Sequence, residues 1–67
     1  MGAGIGATIA YHRKKNGWTQ LELSKIMKAS QNTISKHEIG LAIPGGGYLI
    51  RYADVFGITV EELVKSN

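Results

Sequence analysis

Trp18-Thr19-Gln20-Leu21-Glu22-Leu23-Ser24 and, after five further residues, Ser30-Gln31-Asn32-Thr33-Ile34-Ser35-Lys36-His37-Glu38-Ile39-Gly40 decide the fold. Thr19 with Glu22 three positions on is a capping box, in which hydroxyl and carboxylate each accept from the other residue's backbone N–H. Trp18, just before the cap, can staple onto Leu23. The spacing predicts a helix beginning at Thr19, with Leu23 and Met27 on one face. Only Lys28 and Ala29 separate this helix from a second start. There Ser30 caps, Ala29 can touch Ile34, and Gly40 closes the helix.

The segment between Ser30 and Gly40 is unusual as a helix. Gln31 to Ile39 has one interior aliphatic, Ile34, and its Asn, Thr, Ser and His residues all rank low in helix propensity. Isolated, it would not hold together. Tertiary packing must dock Ile34 and the helix ends and leave a row of amides and hydroxyls facing water. A stable fold has no need of such a row, whereas a partner read by hydrogen bonds does. Gln and Asn pair bidentately with adenine, and Lys pairs with guanine, in the DNA major groove.

Working outward, the same kinds of signal recur. Ile5, Ile9 and His12/Arg13 share a helical face, so a first helix is expected from Ile5 to about Asn16, with Gly17 after it. A fourth is expected from about Tyr48 to Phe56, with Leu49, Tyr52/Ala53 and Phe56 at helical spacing and no capping side chain at its start. A fifth begins with a second capping box, Thr59 and Glu62, with Ile58 facing Leu63. Strand signals are poor. Five short helices joined by short turns define a compact all-α bundle, and no linker or repeat divides residues 1–67, which read as a single domain.

The chain has no cysteine, so neither a disulfide nor a Cys-based zinc site is available. At 67 residues its core is thin, and little interior remains for a water-excluding active site; an enzyme is not expected. The net charge of +3 is uneven. Residues 12–36 hold six basic side chains and one acidic one, whereas residues 52–67 hold one basic and three acidic. A basic front suits a polyanion. No apolar run is long enough for a membrane span. The start, Met1 to His12, has no positively charged segment ahead of its apolar stretch, which argues against a signal peptide. A cytoplasmic protein with no membrane partner and no cofactor is expected.

These residues resemble the phage lambda repressor/Cro-like helix-turn-helix family, also called the xenobiotic-response-element type. The likeness runs from about Ile5 to Val64. It is carried by Thr19-Gln20-x-Glu22-Leu23-Ser24, then Ser30-Gln31-x-Thr33-Ile34-Ser35-Lys36-x-Glu38-x-Gly40, then Pro44, then Ala53-Asp54-x-Phe56-Gly57-Ile58-Thr59. The resemblance implies a five-helix lambda-repressor-like bundle whose second and third helices form the helix-turn-helix, the third being the recognition helix. By position it implies base contacts from Gln31, Asn32 and Lys36, and a base methyl or phosphate contact from Thr33. Gln20 would bind phosphate and could brace Gln31, and Ser35 would also lie on the backbone. Beside the resemblance, Lys14 and Lys28 are candidate phosphate contacts, Lys14 within the basic run Arg13-Lys14-Lys15, which could equally serve only to complement the dipole of the first helix. Arg13 and Glu38 match a structural ion pair. The implied function is a transcriptional regulator, a repressor binding double-stranded DNA as a homodimer on a pseudo-palindromic operator. Dimer contacts would come from Leu41, Ile43, Ile58 and Val60.

The pattern also has departures. Lys28 stands where the turn usually has glycine. Leu41-Ala42-Ile43 replaces a loop often rich in Lys or Arg, leaving only the backbone N–H groups of Gly40 to Ala42 to meet phosphates there. Ile39 stands where a polar or basic residue is common, and Gly45-Gly46-Gly47 replaces the usual cap of the fourth helix. An alternative from a different class keeps the fold but takes a protein as its main ligand, as an antitoxin-like or anti-repressor module; the aliphatic loop motivates it. His12 and His37 read as half-buried packing residues and not as metal ligands, since no H-E-x-x-H pattern accompanies them. Trp18 and Phe56 read as core. Gly2-x-Gly4-x-Gly6 follows no strand and reads as a frayed N-terminus.

Overall fold

Hydroxyl side chains start three of the five helices found among the described residues, 4–65 of the computed structural model. The helices are α1 (Ile5–Lys15), α2 (Gln20–Met27), α3 (Gln31–Ile39), α4 (Gly46–Phe56) and α5 (Val60–Val64). Thr19 Oγ1 accepts from the Glu22 N–H at 3.0 Å, and Glu22 Oε1 accepts from the Thr19 N–H at 2.8 Å. The same reciprocal pair joins Thr59 and Glu62. Ser30 Oγ accepts from the Thr33 N–H at 3.0 Å. Each pair satisfies backbone donors that a helix cannot satisfy itself.

α4 begins two residues before the expected Tyr48. Gly45 is its extended cap (φ −73°, ψ 174°), without a side-chain bond, and the Leu49 N–H closes on the Gly45 carbonyl at 2.9 Å. Glycine disfavours helix formation. Here Tyr48 and Leu49 pack against the core, and that packing recruits Gly46 and Gly47 into the first turn.

Ile9, Leu23, Met27, Ile34, Tyr52 and Leu63 are fully buried and form the core, so every helix contributes at least one residue. Trp18, Ala29, Phe56 and Ile58 pack around them. α3 packs chiefly against α1 and α2, and α4 against α5.

The expectation of a frayed Gly2-x-Gly4-x-Gly6 needs correction within the described residues. Gly2 lies outside them, Gly4 caps α1, and Gly6 is buried inside it. A β-carbon at Gly6 would collide with the carbonyl oxygens of His37 and Glu38, and would meet the Glu38 carbonyl carbon at 2.8 Å. Only glycine lets α1 approach the end of α3 this closely.

Candidate nucleic-acid interface

α3 presents its two sides unequally. Ile34 and His37 are buried, while Gln31, Asn32, Lys36 and Ile39 are exposed, with Thr33 and Ser35 at the margins. Three long polar side chains therefore face water from little more than one helical turn, as their helical positions dictate. Ser30 fixes the start of this turn twice. Its Oγ takes the Thr33 N–H and also lies 2.8 Å from Thr33 Oγ1, sharing a hydrogen bond.

The far end of α3 is anchored by charge. Arg13 Nε and Nη2 donate to Glu38 Oε2 at 2.7 Å and Oε1 at 3.1 Å, while Arg13 Nη1 donates to the Trp18 carbonyl at 2.9 Å. Gln20 Nε2 also donates to Glu38 Oε1, at 3.0 Å. The carboxylate thus ties the end of α1, the start of α2 and the end of α3 together, with side chains only 12% (Arg13) and 5% (Glu38) exposed. The brace made by Gln20 runs to Glu38 and not to Gln31.

A second anchor is neutral. His37 Nδ1 lies 2.8 Å from the Tyr52 hydroxyl, and Tyr48 meets the His37 ring edge-on with centroids 4.8 Å apart. Burial lowers the His37 pKa from its ordinary value. Burial, with Glu38 and Tyr48 nearby, pushes the Tyr52 phenol up. Both groups are neutral near pH 7. His37, read from sequence as half-buried, is nearly fully buried. His12 is half-buried and stacks on Phe56 with ring centroids 5.3 Å apart.

The turn of the motif carries backbone strain. Lys28 sits in the left-handed region (φ 57°, ψ 44°), the position that glycine would fill most easily. Arg51, which sequence reasoning passed over, reaches across from α4 and donates from Nη1 to the Met27 carbonyl at 2.7 Å. It thereby satisfies one of the last carbonyls of α2 beside the strained residue. No local pattern marks this contact, since it joins residues far apart in sequence.

Lys14 and Lys28 are exposed. The backbone donors considered for the loop after α3 are already used. The N–H groups of Gly40, Leu41 and Ala42 all turn back to the Lys36 carbonyl, the last two at 3.0 and 3.3 Å. That corrects the expectation that they could stand in for the missing basic side chains. Leu41 and Ile43 are 73% and 86% exposed, whereas Ile58 packs against the core and Val60 is half-buried. The four residues therefore do not form one uniformly free surface. Among the described residues no group of three or more His, Cys, Asp or Glu is placed to hold a metal, and no helix is long and apolar enough to cross a membrane.

A short capped helix, anchored at its far end and set behind a tight turn with a polar row outward, defines a helix-turn-helix domain. The helix-turn-helix family profile matches residues 9–63, and the chain belongs to that family, in its Cro/C1-type branch. Its fold is that of the lambda-like repressors. The P22 c2 repressor, solved with a synthetic operator, is similar with a TM-score of 0.86 and 27% identity, over 94% of this chain and 96% of that one. SinR, a master regulator of biofilm formation solved with DNA, gives 0.81 and 27%, over 88% and 95%. The SinR protein in complex with SinI gives 0.85 and 26%, over 91% of this chain and 60% of that one. No curated protein matches the sequence.

Proposed function

We propose that this protein is a sequence-specific DNA-binding transcriptional repressor that occupies a pseudo-palindromic operator as a homodimer in the cytoplasm. The observation that carries the reading is the row Gln31, Asn32 and Lys36, exposed on a helix whose other side is fully committed to packing and ion pairing. Those side chains select bases by hydrogen bonding in the major groove, with Thr33 beside them. Ser35, Lys14 and Lys28 set register on phosphates, as does Gln20 through the donor capacity it has beyond Glu38. Arg13 and Glu38 hold the helix end and touch no DNA. The mechanism is occupancy, and no chemical step is involved.

The family assignment supports DNA binding, and the operator complex of the P22 c2 repressor supports the operator reading. The exposure of Leu41 and Ile43 supports a subunit contact through the loop. Selection of bound sites from random duplex DNA tests the reading. A pseudo-palindrome with half-sites about one helical turn apart is expected; recovery of no preferred sequence would reject it.

The same exposed loop favours a second reading, a domain whose main ligand is another protein. SinR, whose chain contains a similar fold over 60% of its length, is known in complex with the protein SinI, which supports weighing this reading. A stoichiometric protein complex, with no duplex selected, would favour this reading over the first.

A further inference from the structure

We infer that Arg51 binds a backbone phosphate of the DNA and so supplies part of the contact that the aliphatic loop after α3 lacks, an inference that rests on the DNA-binding role proposed above. Arg51 is exposed on α4. Its guanidinium is nevertheless held in place, because Nη1 donates to the Met27 carbonyl at 2.7 Å. That bond uses one of the five N–H donors that an arginine carries. The remaining donors and the positive charge have no carboxylate partner. Among the described residues the ion pair is Arg13–Glu38, and Asp54, one turn further along α4, makes none with Arg51.

With Gly47 and Tyr48, Arg51 lines a concavity of about 300 Å³ that opens to solvent. No side chain guards the approach over Gly45, Gly46 and Gly47, where the place of a β-carbon has nothing within 4 Å. The planar guanidinium fork matches phosphate oxygens, and a fork already tied to Met27 has less freedom to lose on binding. Its position in the motif points to the DNA backbone as the source of that phosphate. Met27 stands four residues before Gln31, a chain distance that cannot exceed about 14 Å. The major groove is about 12 Å wide, so with Gln31 on the bases, a phosphate strand at the groove wall lies within the same reach as Arg51. The carbonyl of Met27 thus positions Arg51, and Arg51 carries a charge that the loop from Leu41 to Ile43 does not.

The test measures the salt dependence of binding to the duplex that the parent protein selects and to a scrambled duplex. Arg51→Gln keeps an N–H that can donate to the Met27 carbonyl and removes the charge. Its slope of log affinity against log salt should be shallower than the parent's by about 0.9 per half-site, the increment for one neutralised phosphate. Affinity for both duplexes should fall by the same factor, since a phosphate carries no sequence. Arg51→Lys keeps the charge and should keep the parent's slope. Replacing phosphates singly by uncharged methylphosphonates should locate one linkage per half-site at which the parent loses affinity and Arg51→Gln does not. Circular dichroism checks that both variants remain helical. An Arg51→Gln protein with the parent's slope and the parent's sensitivity at every linkage overturns the inference and leaves the DNA-binding role standing. So does an Arg51→Gln protein that loses only sequence preference, or an Arg51→Lys protein with the shallower slope, because either would mean that Arg51 acts through the Met27 carbonyl and the turn. A parent that binds no duplex overturns both.

Discussion

Lys28 shows how a single residue departs from the local rule that its position sets. A left-handed backbone costs a non-glycine residue about 1–2 kcal/mol, and Lys28 adopts it beside the Met27 carbonyl that Arg51 satisfies. Lys28→Gly should raise stability by up to about 1 kcal/mol once glycine's greater unfolded-state entropy is set against the relieved strain. Urea denaturation checks it, and an unchanged or lower midpoint would mean that the lysine side chain makes up the difference. His37 is the other residue whose environment can be tested. Its folded pKa lies below its unfolded value near 6.5. The unfolded chain therefore binds more protons in the interval between those two values, so stability is full above about pH 6.5 and falls as pH drops through that interval. Thermal melts between pH 7.5 and 5 should show this decline, and the double variant His37→Phe, Tyr52→Phe should flatten it. The paired change is needed because removing the imidazole alone would leave the Tyr52 hydroxyl, buried at 2.8 Å from Nδ1, without its partner.

At the scale of elements, α3 depends on contacts outside itself. Its Asn, Thr, Ser and His content gives it little intrinsic helicity, and its end rests on the Glu38 carboxylate and on the close approach of Gly6. Glu38→Ala would leave the Arg13 guanidinium, 12% exposed, without its counter-charge. A loss on the order of 3 kcal/mol is expected, a large share of what a domain this size holds in total, and denaturant unfolding measures it. Gly6→Ala should cost about 1–3 kcal/mol, since the added carbon must push α1 off the backbone of His37 and Glu38. A neutral effect of Gly6→Ala in the same measurement would mean that α1 can shift without loss.

These elements also show what a reader of the sequence could and could not see. The starts of α2, α3 and α5 were legible because a hydroxyl and, in two of them, a carboxylate three residues on encode the cap locally. The core positions on α1, α2 and α4 followed from helical spacing. The start of α4 was not legible, because Gly45 caps it with backbone alone and Gly46 and Gly47 are weak helix formers. The role of Gly6 and the reach of Arg51 were hidden for a common reason. Each depends on a backbone carbonyl more than twenty residues away, and no short-range pattern records such a contact. The loop after Gly40 was misjudged for the opposite reason. Its N–H groups look free in sequence, yet the left-handed Gly40 (φ 83°) turns them back onto Lys36.

For the molecule as a whole, size and charge bear on how binding must work. Its longest extent is 28 Å, shorter than the roughly 34 Å between half-sites one helical turn apart. On the reading proposed above, one copy would span one half-site, and a pseudo-palindromic operator would take two copies. The basic side chains concentrate in residues 12–36, over the end of α1 and the two helices of the motif, while residues 52–67 are net acidic. With the loop after α3 aliphatic, fewer phosphate contacts are available to each copy than in a strongly basic relative. On the proposed reading, more of the binding would then fall on base contacts and on pairing of subunits. The central claim is that Gln31 at the exposed start of α3 reads a base. Titration of the parent and Gln31→Ala against the selected duplex, at fixed salt and with helicity matched by circular dichroism, tests it most directly. The account predicts a loss of about 1–3 kcal/mol with relaxed preference at a single base pair; equal affinity and unchanged preference would contradict it.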